Sequence, residues 1–130
     1  MIKRLIYSIL DRLDRELGYL IRLLDVGYEL VKSKRELRDN MKGSNRDPNE
    51  HDMEGMNYKE RLKLSGIEGK GVNGEVVYYG KPDLEKAVQM LMKSPTHKEV
   101  IKDGRYKYMT MIMIPDGDNA YIVANYGDKP

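Results

Sequence analysis

The chain has 130 residues and no cysteine, and its 23 Lys and Arg against 21 Asp and Glu leave a net charge of only +2. That length suits one domain with a modest core. The absent thiols exclude disulfides and thiolate chemistry, and the interspersed charges give no global field for nucleic acid. Ten Tyr and nine Met stand where Phe and Trp are missing altogether, so methionine must fill gaps in a soft core.

The start carries an apolar run, Leu5–Leu10, followed at once by Asp11, Arg12, Asp14 and Arg15. That is too short for a signal peptide, and no segment approaches the ~20 apolar residues of a membrane span. The expectation is a cytoplasmic or particle-associated chain, leaving a cell, if at all, by lysis or carriage in a particle.

Residues 2–41 read as helix, because Ile2, Ile6, Ile9, Leu13, Leu17, Leu20, Leu24 and Val31 recur at steps of three and four. Unbroken, such a helix reaches ~60 Å at ~1.5 Å per residue, longer than a small domain is wide. Either it bends near Gly18 or Gly27, or its first part projects. From Leu17 to Val31 apolar residues cover most of the circumference, as in a core helix. Residues 1–16 keep a narrower stripe, suited to a protein partner or self-association, or to lying back on the same domain. The division is therefore an amphipathic extension, 1–16, and a domain, 17–130.

Arg38 to Glu54 is polar and reads as a surface loop carrying His51. A short helix follows, with Asn57 as N-cap, Glu60 at the capping-box position and Gly66 as its stop. The glycine-dense run Gly66 to Gly74 is not a phosphate loop, since no Lys-Ser/Thr pair follows its last glycine.

Val76–Tyr79 is a strand by its β-formers. Pro82 suits the first turn of the next helix, whose apolar face is Leu84, Ala87, Val88, Leu91 and Met92. Ser94 and Pro95 restart the chain as cap and first residue of another helix bearing His97, Val100 and Ile101. Arg105–Ile114 and Ala120–Tyr126 are strands joined as a hairpin through Pro115 to Asn119. Three strands and about four helices in this order give an α+β domain with an antiparallel sheet. Tyr78, Tyr79, Tyr106, Tyr108, Tyr121 and Tyr126 alternate with basic residues. That pattern fits a tyrosine-lined sheet face better than a stacking platform for single strands, so nucleic acid is not an expected partner. The period-two row Met109, Met111, Met113 is expected to be core against a helix.

The run from Arg61 to Ile101 resembles the CAP domain, the superfamily of cysteine-rich secretory proteins, antigen 5 and class 1 plant pathogenesis-related proteins, in its bacterial SCP-like branch. The likeness rests on Arg61-Leu62, Ser65-Gly66, Gly74-Glu75-Val76, Gly80, Ala87-Val88 and Leu91-Met92-Lys93-Ser94-Pro95-Thr96-His97, in that order and separation. His51 stands where the family has an upstream histidine, and Tyr126-Gly127 matches its closing aromatic-glycine pair. Val76 stands for the family's Asn, Leu91 for its Trp, and Ser94 for a second glutamate, as in the bacterial branch.

The resemblance implies an α-β-α sandwich with a small three-stranded sheet and a long N-terminal helix. It also implies a cleft lined by His51, Glu75, Ser94 and His97, with Glu75 and His97 sharing a site. Two imidazoles, His51 and His97, with a carboxylate could hold Zn2+ and make a hydrolase. No cofactor is otherwise indicated, and no serine or cysteine nucleophile with an oriented base is evident. Because CAP domains mostly bind, the leading expectation is a non-catalytic binding or structural module in a larger assembly, for example a phage particle or bacterial machine. A zinc-dependent hydrolase, or a lipid- or peptide-binding protein using the His/Glu cleft, is the alternative.

Overall fold

The computed structural model describes residues 2–40, 57–67 and 71–129. Ile2–Asn40 form a single helix, α1, uninterrupted at Gly18 or Gly27. At 39 residues it is about 58 Å long. Tyr19, Leu23, Val26 and Leu30, spaced by four, three and four, are fully buried. Every described residue before Glu16 is exposed, so the first part of the helix projects.

Tyr58–Leu64 form α2, and Asn57 caps it by accepting the Glu60 amide at 2.9 Å. Gly66 ends it at φ +78°, a conformation that costs glycine little. Then follow β1 (Asn73–Gly80), α3 (Leu84–Met92), α4 (Pro95–Ile101), β2 (Tyr108–Asp116) and β3 (Asn119–Gly127). Asp83, rather than Pro82, opens α3, and its side chain accepts the Lys86 amide at 3.1 Å.

The three strands form an antiparallel sheet in the order β1-β3-β2. This is the α+β architecture read from the sequence. β2 runs past Pro115 to Asp116; it is an edge strand, where a missing N–H can face away from the ladder. Gly117 and Asp118 alone turn the hairpin. A positive φ at Gly117 only (+61°) gives the type II′ pattern that matches strand twist.

Alternation sorts the sheet residues between two layers. Val77, Tyr79, Tyr121, Val123, Ile112 and Ile114 pack with Leu30 and Val31 of α1. On the opposite face α4 reaches β1, with Val100 lying beside Gly74. The result is helix, sheet and helix in three layers.

Two expectations change. Met109, Met111 and Met113 are not core: they are 49%, 40% and 43% exposed. α1 covers the other face of β2, while α3 and α4 lie against β1, so the methionine row is left at the rim. Nor is α1 buried all round between Leu17 and Val31. Leu17, Ile21, Leu24 and Tyr28 are each at least 42% exposed.

Candidate functional site

Glu75 lies on β1 in register with Asn125 of β3. Period two puts both on the face that meets α1. Arg61 enters the same layer from α2, ahead of the glycine that stops that helix. The three side chains converge in the interior: Arg61 and Asn125 are 1% exposed and Glu75 is 7% exposed.

The Arg61 guanidinium meets the carboxylate fork to fork. Nη1 donates to Glu75 Oε2 at 2.8 Å and Nη2 donates to Oε1 at 2.9 Å. Nη1 also donates to the Val26 carbonyl of α1 at 2.8 Å. Asn125 Nδ2 donates to Glu75 Oε2, again at 2.8 Å. One carboxylate thus ties α2, β1 and β3 together, and the guanidinium adds α1. A buried charge pair is tolerable when its geometry is bidentate and further hydrogen bonds support it, as those of Val26 and Asn125 do here. Gly27 makes room for this. A Cβ there would lie 2.7 Å from Asn125 Oδ1 and 3.2 Å from Val123 Cγ1.

Tyr58 completes the cluster. The Arg61 guanidinium carbon stands 5.5 Å from its ring centre, a cation–π contact. Its hydroxyl is buried. Burial pushes the phenol's pKa up, and the nearby Glu75 charge pushes it further in the same direction.

His97 sits in α4, half-buried, with Nδ1 shielded from solvent. α4 approaches β1 from the Gly74 side, where Val100 and Tyr106 lie close, whereas Glu75 is engaged on the α1 side. Ser94 occupies the N-cap position of α4 without a capping hydrogen bond. Its Oγ is instead 3.2 Å from Thr96 Oγ1. His51 lies outside the described residues, as does the loop around it. Among the described residues, no three His, Asp or Glu gather as a metal site. No helix among them is long and apolar enough to cross a membrane.

The tyrosines are divided between layers rather than lining one. Tyr79 and Tyr121 pack at 4.7 Å in the α1 layer, and Tyr19 meets Tyr108 edge-on at 5.4 Å. Tyr106 and Tyr126 pair at 5.5 Å beside β1's other face.

The sequence reading missed Asn125 and the pairing of Arg61 with Glu75. A signal existed. Tyr121, Val123 and Asn125 alternate on one strand face, so an amide stands in line with core residues. A buried amide demands a polar partner.

No family model matches this chain, and no curated protein does. Among solved structures it is similar to an outer surface protein from Borrelia burgdorferi, with a TM-score of 0.57 and 16% sequence identity. The match covers 78% of this chain and 72% of that one. At such identity the likeness is one of fold alone.

Proposed function

We propose that the chain is a non-catalytic CAP-like module that acts by binding or building, attached to a larger assembly through the first half of α1. One observation carries the non-catalytic part. Both oxygens of Glu75 are committed to Arg61 and Asn125, and its side chain is 1% exposed. A general base or a zinc ligand needs a lone pair aimed at substrate or metal. Three of the roughly four lone-pair sites of Glu75 face Arg61 and Asn125, which favours a structural carboxylate over a ligand beside His51 and His97. The attachment part rests on Ile2, Leu5, Ile6, Leu10 and Leu13, which are 49–75% exposed on a helix that has left its own sheet behind.

The CAP reading draws support from the order of elements and from the place of the quoted motifs. Arg61 and Glu75 meet, and Ser94-Pro95-Thr96-His97 opens the helix that lies on β1.

The test is zinc content in protein purified without chelator, beside His51→Ala and His97→Ala. The expected result is no stoichiometric zinc and a melting temperature indifferent to chelator. One zinc per chain, lost in either variant, overturns the reading in favour of a zinc-dependent hydrolase.

A further inference from the structure

Eight of the eleven large apolar residues exposed on α1 fall on one line, with Leu5, Tyr7 and Ile9 beside it in the arm. Ile2, Ile6, Leu10, Leu13, Leu17, Ile21, Leu24 and Tyr28 follow steps of 4, 4, 3, 4, 4, 3 and 4. That is an eleven-residue repeat, ~3.67 residues per turn, which keeps a stripe almost straight along a helix. All eight residues are between 42% and 75% exposed. At 3.6 residues per turn, the stripe lies roughly two-fifths of a turn from the buried line Tyr19, Leu23, Val26 and Leu30, nearly on the opposite side of α1. It therefore continues from the projecting arm onto the half of α1 that is anchored to the sheet.

We infer that the occupant of this stripe is a second copy of the chain, paired antiparallel along α1. This deepens the attachment reading above and rests on it. Symmetry favours such a pair. Read from either end, the stripe meets itself: Ile2 falls opposite Tyr28, Ile6 opposite Leu24, Leu10 opposite Ile21, and Leu13 opposite Leu17. Each projecting arm then lies along the partner's anchored half, and neither apolar arm is left in water.

Charge selects the same direction. Lys3 and Asp25 sit on the same flank of the stripe, near its two ends. Antiparallel pairing brings each beside the other's counterpart, twice over. Parallel pairing gives them no such partners. Asp14 falls near the two-fold axis on that flank, so one like-charged approach stands against two complementary ones.

The area is also sufficient. At their observed exposures the eight side chains offer roughly 900 Å² per copy, against about 800 Å² per partner in a standard stable interface. With nearly all of its area buried, the stripe reaches the size of a standard interface.

Light scattering after size exclusion, across a concentration series, gives the first readout. A species near twice the 15.1 kDa chain mass is expected. Leu13→Glu, at an exposed position, shifts the species to monomer, leaves the circular dichroism of the fold unchanged, and removes the concentration dependence of the melting temperature that a dimer shows. Lys3→Asp raises the dissociation constant about tenfold, and adding Asp25→Lys restores it.

Direction is read by cross-linking, since the chain has no cysteine of its own. Mixed Ile6→Cys and Leu24→Cys chains form a disulfide dimer under mild oxidation. Ile6→Cys alone does not, because the two copies of that residue lie ~27 Å apart along the axis. Self-cross-linking of Ile6→Cys overturns the antiparallel pair. So does a monomer at every concentration, including one whose stripe binds anionic phosphatidylglycerol vesicles. A monomer whose arm is shielded in a larger purified complex overturns the second copy but leaves the attachment reading standing. Stoichiometric zinc removed by His97→Ala defeats the non-catalytic reading and leaves the dimer result untouched.

Discussion

Arg61 grips both oxygens of Glu75, at 2.8 and 2.9 Å, where neither side chain meets solvent. Removing either partner strands a charge in the interior, which typically costs about 3–5 kcal/mol. Arg61→Ala and Glu75→Ala are each expected to lower the free energy of unfolding by that order in urea titrations. Glu75→Gln keeps the shape and loses the charge, so its cost should be smaller. If Glu75→Ala leaves stability unchanged, the carboxylate is not structural and the non-catalytic reading loses its support.

Gly27 and Gly18 give opposite outcomes for the same change. In a helix interior Gly→Ala is ordinarily stabilising, by about 1 kcal/mol. At Gly18 the new Cβ meets only Arg22 Nη2 at 3.8 Å, an ordinary contact, so propensity wins and the melting temperature should rise. At Gly27 the same atom stands 2.7 Å from Asn125 Oδ1. Relief requires moving the amide that holds Glu75, or moving α1 off β3. Gly27→Ala is therefore expected to destabilise, despite its better propensity. Thermal melts of the two variants, side by side, decide it.

What the sequence disclosed follows from which interactions are local. α1, the caps at Asn57 and Gly66, and the hairpin around Gly117 depend on spacing and turn chemistry within a few residues. The α+β order follows from them. Which sheet face receives which helix is a long-range fact. Met109, Met111 and Met113 alternate as core residues do, yet only the placement of α3 and α4 against β1 leaves them at the rim. Likewise the motif around Glu75 was legible as Gly74-Glu75 and as a resemblance. Its partners come from residues 14 and 50 positions away, and no local pattern names them.

The rim position of the methionines has a direct consequence. Met111→Lys, on the exposed side of β2, should change stability by no more than about 0.5 kcal/mol. Its neighbour Ile112 packs against the Val77, Tyr121 and Val123 cluster. Ile112→Ala should cost about 2 kcal/mol or more through lost contact and the space left behind. Equal losses in the two denaturation curves would mean that both faces of β2 are covered.

Alkaline pH should unfold the chain through its tyrosines. Burial is the largest cause of a raised pKa at Tyr19, Tyr58, Tyr106, Tyr108 and Tyr126. A phenol is neutral when protonated, so the folded state binds those protons more tightly than the unfolded chain does. The stability this gives is fully present below the unfolded value, about pH 10, and is lost as pH climbs toward the folded values. Tyr58 should dominate, because the Glu75 charge adds to its desolvation. Denaturant midpoints measured between pH 8 and pH 11 should therefore hold level at first and then fall. Tyr58→Phe keeps the ring beside Arg61 and removes the titrating proton, so its profile should fall less steeply above pH 10. A wild-type midpoint that stays level through pH 11 would mean that these phenols ionise equally well folded and unfolded. The hydroxyl of Tyr58 would then be open to water rather than enclosed with the Arg61–Glu75 pair.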